Sequence, residues 1–285
     1  VQPGDSLATF DAGLRRLSLW HPDSGFVRSL TVGGGSDESW PADAWFWRDS
    51  LVVVLQLSIT PLESVAPSAG VRRWPMRAHL TLQDLNGRVL GMSPVFNAMY
   101  SGLYAGGDTR LPFSNQPFAT LAQDRVYFGS GATFSLSYLN TDFRWEGDLR
   151  WPSQQEALTP EEVAQVRSEA EALAATRLPP ERVRQRLAMS FAPEILPKLR
   201  PAIGRVFVAP DANLWIERFE ATRLGSPVQK AGERWTVLTA NGEPVARLTL
   251  PTGSRLEDVR GTRVVLVLRD SLDVQTVAVR ELLKP

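Results

Sequence analysis

The chain has no cysteine, which excludes disulfides, thiolate catalysis and cysteine-ligated metals, while leaving the compartment open. Histidine is nearly absent. His21 and His79 are the only two, and no Gly-x-Ser-x-Gly elbow accompanies them, so a nucleophile–base pair has little support. His21 reads as a solvated turn residue and His79 as an outward-facing strand residue. Paired zinc-binding histidines are missing too. Net charge is zero: 31 basic residues cancel 31 acidic ones, so no global field favours nucleic acid or an anionic bilayer. The most apolar run, Leu51 to Ile59, is about half the length of a bilayer-crossing helix, so no membrane span is expected. The first residue is valine rather than methionine, and an upstream segment, such as a cleaved export signal, is expected.

What remains is 285 residues, 43% of them hydrophobic, enough for a sizeable core. One pattern recurs: an alternating strand, a polar turn, and a second alternating strand. It is found at Leu17–Leu30, Leu80–Leu90, Leu136–Gly147 and Trp235–Leu250. Asn86-Gly87 and Asn241-Gly242 suggest type I′ hairpins, in which both central residues take positive φ. A further strand precedes each of the first three hairpins, at Leu7–Phe10, Leu51–Leu55 and Val126–Phe128. Val264–Leu268, followed by Val274–Val279, plays the same part near the end of the chain. Repeated antiparallel units without helices between most of them predict an all-β, antiparallel β-propeller. Four to five blades can be counted, which makes the ring small or incomplete.

The spacing between the third and fourth hairpins is longer by about one helical hairpin. Thr159-Pro160-Glu161-Glu162 forms a capping box, and Val163, Val166, Ala170 and Leu173 follow at helical spacing. After Pro179-Pro180, a second helix carries Val183 and Leu187 together with Arg182, Arg184 and Arg186. One domain over 1–285 with a helical insertion at 153–200 is therefore expected. Residues 94–118 hold Phe96, Met99, Tyr100, Tyr104, Phe113 and Phe118 without a clean period, and predict a long loop that is either functional or a plug over the blade ends.

Gly33-Gly-Gly-Ser36 lacks the lysine and helix of a phosphate loop and reads as a linker. Trp40, Trp45, Phe46 and Trp47 lie among Asp37, Glu38, Asp43 and Asp49, the wrong charge for nucleic acid. They suit packing between blades or a protein-facing patch. The candidate partner-binding residues are therefore Trp40, Trp45, Trp47, Tyr100, Tyr104, Phe113, Arg182 and Arg186. Most loop aspartates fit turn caps. Asp270 and Asp273, in a strand-to-strand loop, are the weak metal candidates. No cofactor and no catalytic residue is assigned.

Val206-Phe-Val-Ala-Pro-Asp-Ala-Asn-Leu-Trp-Ile216 resembles a strand of six-bladed propellers of the NHL, TolB and gluconolactonase-like type, with Ala209 and Ala212 where that pattern has aspartate and glycine. Asp11 to Leu19 and the stretch from Trp235 through Arg269-Asp-Ser-Leu-Asp273 to Leu282 are similar to blades of exported bacterial propellers. The resemblance implies the fold and a periplasmic or otherwise exported placement. The absence of reactive motifs, the two insertions and the neutral charge balance add the expectation of a non-catalytic protein-interaction module, an accessory subunit of a larger complex, membrane-embedded and respiratory or photosynthetic for example. The alternative that the resemblance offers is a lactonase- or hydrolase-like propeller with a divalent cation in its channel.

Overall fold

The computed structural model describes residues 6–33, 39–48, 50–59, 72–104, 107–219, 233–270 and 274–282. Their strands form five antiparallel sheets in chain order. Sheet one is β1 (Leu7–Asp11), β2 (Arg16–His21) and β3 (Gly25–Thr31). Sheet two is β4 (Ser39–Trp47), β5 (Leu51–Ile59) and β6 (Arg72–Asp84), with β7 (Val89–Met92) and then β8 (Phe96–Tyr104) along β6 and β9 (Gly107–Arg110) on β8. Sheet three runs β10 (Phe118–Leu121), β11 (Val126–Gly129), β12 (Ser135–Leu139), β13 (Trp145–Arg150). Sheet four runs β14 (Ile203–Val208), β15 (Leu214–Arg218), β16 (Arg234–Leu238), β17 (Pro244–Thr249). Sheet five is β18 (Ser254–Arg260), β19 (Arg263–Arg269) and β20 (Gln275–Glu281).

Strand alternation explains how these sheets stack. On β5, Val52 and Val54 join a cluster with Leu17 and Val32 of sheet one, while Val53, Leu55 and Leu57 join another with Val126 and Phe128 of sheet three. Tyr127 and Leu136 of sheet three pack with Leu214, Ile216 and Leu238 of sheet four. Trp215, Trp235 and Val237 pack in turn with Leu256, Val259 and Leu266 of sheet five. Successive residues thus feed successive interfaces, which is why the central strands read as continuous apolar runs. The result is a five-bladed antiparallel β-propeller arrangement, each sheet a blade. Among the described residues no apolar cluster joins blade five to blade one.

Polar bonds cross the same interfaces. The Trp47 indole donates to the Ala122 carbonyl at 2.9 Å, and the Tyr127 hydroxyl to the Ala240 carbonyl at 3.4 Å. The Gln83 amide donates to the Gly33 carbonyl, joining blades two and one.

The blade hairpins close differently from the sequence expectation. In the two Asn-Gly turns the glycines alone have positive φ, at 80° for Gly87 and 86° for Gly242, so Asn86 and Asn241 do not form type I′ turns. Each loop is a type I turn followed by a left-handed residue: the Gly87 amide donates to the Asp84 carbonyl and the Gly242 amide to the Thr239 carbonyl. The Asp84 carboxylate accepts the amides of Asn86 and Arg88, and Asn140 and Thr239 repeat the same pair of bonds in the next two blades. In blade three the left-handed position holds Phe143, at φ 58°. Its buried ring, 6.3 Å from Trp47, offsets that strain through core packing. The segment Val206–Ile216 is a hairpin rather than one strand, and Ala212 sits at φ 64°, the glycine-favouring position of its turn.

Residues 94–118 are not a structureless loop, since β8 pairs with β6 over Phe96 to Leu103 and β9 extends it. The aromatic positions alternate too irregularly for the strand to be legible. The insertion is a helical hairpin, α1 (Pro160–Ala175) and α2 (Pro180–Ser190), and Thr159 and Glu162 complete the capping box. Its two ends meet as a short stem: the Leu158 amide donates to the Lys198 carbonyl and the Arg200 amide to the Glu156 carbonyl. Val166, Val183, Leu187 and Phe191 dock on Phe113 and Phe219. Leu173, expected on the apolar stripe, is exposed instead.

Two glycines separate conformational strain from crowding. Gly131 has φ 72°, and a Cβ there would lie 2.9 Å from the Ile203 carbonyl oxygen; Gly25 has φ 71° with open space around it. Gly25→Ala is expected to lower stability by about 1 kcal/mol. Gly131→Ala should cost about 3 kcal/mol or more, because the blade three to blade four contact must also shift. Urea unfolding of both variants checks the difference.

Candidate functional site

The candidate partner residues are dispersed. Trp47 and Phe113 are buried, at 3% and 1% exposure, so both are core residues and not surface anchors. Trp47 fills the interface between blades two and three, and Phe113 is the platform of the helical hairpin. Trp40 and Trp45 are half-buried against the same interface as Trp47. Tyr100 is half-buried, with its backbone bonded on both sides to the Ser114 hydroxyl. Arg182 and Arg186 are exposed on α2. The side chain of Tyr104 and all of Asp273 lie outside the described residues.

Asp270 caps a turn: its carboxylate accepts the Val274 amide at 2.9 Å. Among the described residues no three His, Asp or Glu side chains converge as metal ligands would. His79 is half-buried rather than fully outward, and burial lowers its pKa. It stands across the strand pair from Gln56, which is buried with no hydrogen-bond partner for its amide.

Two polar constellations were not legible as sites in the sequence. The first is a cleft of about 290 Å³ between blades two and three, lined by Asp43, Trp45, Leu55, Leu57, Met99 and Gln116. Asp43 stands where the register of β4 on β5 shifts. Burial raises its pKa, and its contact with the Ala44 amide at 2.8 Å opposes that only in part. The sequence signal was an acid inside Trp40-Pro-Ala-Asp-Ala-Trp-Phe-Trp47, which reads equally well as a turn residue.

The second links blades four and five. Arg205 on β14 donates to Glu217 at 2.8 Å and to both oxygens of Glu233 at 3.0 and 3.1 Å. Glu233 also accepts the Trp235 indole N–H and the Leu256 amide, each at 3.0 Å. Both glutamates are buried, at 0% and 1% exposure. Arg205 further stands over the Trp235 ring, 5.3 Å from its centroid. This arrangement is a clasp: its donors and acceptors face one another, and it holds the fifth blade to the fourth. In sequence its one trace is Glu217 on the same strand face as Trp215, a carboxylate at a position that alternation marks as buried.

No family model matches the chain, and no curated protein matches it in sequence. Among solved structures, a luciferin-regenerating enzyme aligns with a TM-score of 0.41 at 9% identity, over 98% of this chain and 87% of that one. A gluconolactonase from Xanthomonas campestris aligns with a TM-score of 0.40 at 10% identity, over 92% of this chain and 65% of its own. A streptogramin B lyase gives 0.37 at 11% identity, over 100% of this chain and 82% of its own. At these TM-scores the assignment to the β-propeller class rests on the sheet order and the stacked blade interfaces.

Two expectations follow. A carboxyl whose pKa is higher in the folded chain than in the unfolded one loses stability as pH rises through that window. Asp43→Asn should therefore raise the melting temperature at pH 7 and have little effect at pH 3, as a thermal-melt series across pH checks. Arg205→Met removes the guanidinium that two buried carboxylates share and should cost about 3 kcal/mol in urea unfolding.

Proposed function

We propose that this chain is a non-catalytic protein-interaction module, an accessory subunit that docks on a larger assembly. One observation carries the reading. Leu7, Trp20 and Phe26 form a single row across β1, β2 and β3, since Leu7 pairs with Trp20 and Trp20 with Phe26. They are 62%, 42% and 52% exposed, on the side of blade one turned away from the cluster it shares with blade two.

The row is ordered as well as exposed. The Trp20 and Phe26 rings meet edge-on at 5.2 Å, and the Trp20 indole donates to the Thr9 hydroxyl at 3.3 Å. Held aromatics on an apolar face are the usual anchors of a protein interface, because little side-chain entropy remains to be lost on binding. In blades two, three and four such a face is buried by a neighbouring sheet, so the partner of suitable chemistry presents an apolar sheet face. The exposed Arg182 and Arg186 on α2 provide a second, charged contact. Placement in the periplasm or another exported compartment belongs to the same proposal and rests on the resemblance to exported propellers; fractionation of cells expressing the full-length chain checks it.

A photo-cross-linking residue introduced at position 26 in cells should yield one adduct of defined mass. Leu7→Glu with Trp20→Glu should abolish the adduct and leave the melting temperature within a few degrees, since neither side chain is core. Absence of an adduct from a folded, expressed chain, or an adduct indifferent to those charges, overturns the reading. Calcium-dependent lactone hydrolysis by the purified chain would favour the hydrolase alternative instead.

A further inference from the structure

The inner aliphatic seam between blades three and four gives way to arginines along the strands of blade four. Beyond Ile216, the face of blade four turned to blade three carries Arg218 on β15, Arg234 on β16 and Arg247 on β17. Together with Phe134 and Trp151 of blade three they line a cleft of about 170 Å³. The hydroxyl residues Ser153, Thr236 and Thr249 also line it, and among the described residues no acidic one does. A carboxylate beside it, Glu156, is shared: it lies 2.7 Å from Arg218, 3.7 Å from Arg234 and 3.1 Å from Arg200.

From this we infer a binding site for a small phosphate-bearing molecule with a planar ring, separate from the interaction surface proposed above. Each element of that ligand has a counterpart. Guanidinium forks match phosphate oxygens in geometry and charge, and hydroxyls supply further donors. The Phe134 and Trp151 rings, edge-to-face at 6.0 Å, form a wall against which a ring can pack. Arg218 is already ordered beside that wall, 5.8 Å from the Phe134 centroid, with a bond to the Gln154 carbonyl at 3.2 Å. Arg247 makes no ion pair among the described residues and is exposed, so it is the cation most readily given to a ligand. The size limits the choice, because pockets for drug-sized molecules run to about 300 Å³ or more. One ring with one phosphate suits the space better than a dinucleotide.

The probes are phenyl phosphate, inorganic phosphate and citrate, titrated calorimetrically into the purified full chain at low salt. Phenyl phosphate should bind with a Kd below about 1 mM, and inorganic phosphate about tenfold more weakly for want of the ring contact. Arg247→Gln should weaken phenyl phosphate binding about tenfold with an unchanged melting temperature, because the side chain is exposed and makes no ion pair among the described residues. Trp151→Leu should narrow the gap between the two phosphates if it folds, and Arg247→Gln keeps the test decisive if it does not. No heat from phenyl phosphate at about 5 mM overturns the inference, as does binding unchanged in Arg247→Gln. Citrate binding as tightly as phenyl phosphate would also overturn it, since the cleft would then be reading charge alone.

Discussion

The three inner blades of this chain must bury both faces of their middle strands, and that requirement organises the rest of the structure. A sheet of three or four strands with two apolar faces has no stable existence in water alone. Val53 and Val54 are neighbours in sequence, both fully buried, yet they serve different interfaces. Each such side chain contributes about 1.5–3 kcal/mol on leaving water, so an inner blade with two apolar faces needs a neighbour on each side. Stacking continues for as long as the sequence supplies two-faced sheets. The polar clasps of Trp47, Tyr127 and Gln83 then fix how the sheets are offset, a matter that apolar contact alone leaves loose.

The same requirement gives the end blades their character. Blades one and five each have one face committed to a neighbour, through Leu17 and Val32 in one case and Leu256, Val259 and Leu266 in the other. Their other faces keep the apolar residues of a blade interface: Leu7, Trp20 and Phe26 on blade one, Val277 and Val279 on blade five, the last two at 68% and 58% exposure. Scattered exposed apolar residues need no explanation, but an ordered row across three strands does. The helical hairpin obeys a related logic. It is too short to stand alone, and it is held by a stem at Glu156–Leu158 and by Phe113 and Phe219 beneath it.

The repeat was legible in the sequence because its period-2 strands and polar corners are local features. The strand pairs at Leu17, Leu80, Leu136 and Trp235 and the helical insertion all fall where alternation, turn residues and the Thr159 capping box place them. Turn type was misread at Asn86-Gly87 and Asn241-Gly242 because Asp84 and Thr239, two residues earlier, bind the turn amides and set another geometry. β8 was hidden because its pairing with β6 is long-range and its aromatics follow no simple alternation. The candidate site residues fared worst for a physical reason. An aromatic such as Trp47 or Phe113 looks the same in sequence whether it anchors a partner or a core, and burial is decided by which blade lies opposite. Asp43, Arg205 and the arginines of blade four depend on the same long-range placement.

Blade four shows how far strand alternation can carry charge. Glu217-Arg218 and Glu233-Arg234 are two acid–base doublets on adjoining strands, and the pairing of Glu217 with Trp235 brings the doublets together. Successive residues point to opposite faces, so the carboxylates go to the blade five side, where Arg205 receives both, and the guanidiniums line the cleft beside blade three. The sheet is therefore polarised across its own thickness. A one-residue slip would drive the arginines into the aromatic packing of Trp215 and Trp235 and the glutamates into the cleft. The energetic penalty of that exchange makes the doublets a register lock. The lock keeps the two glutamates of these doublets on the far side of the sheet from the cleft, where among the described residues Glu156 is the carboxylate that Arg218 and Arg234 share.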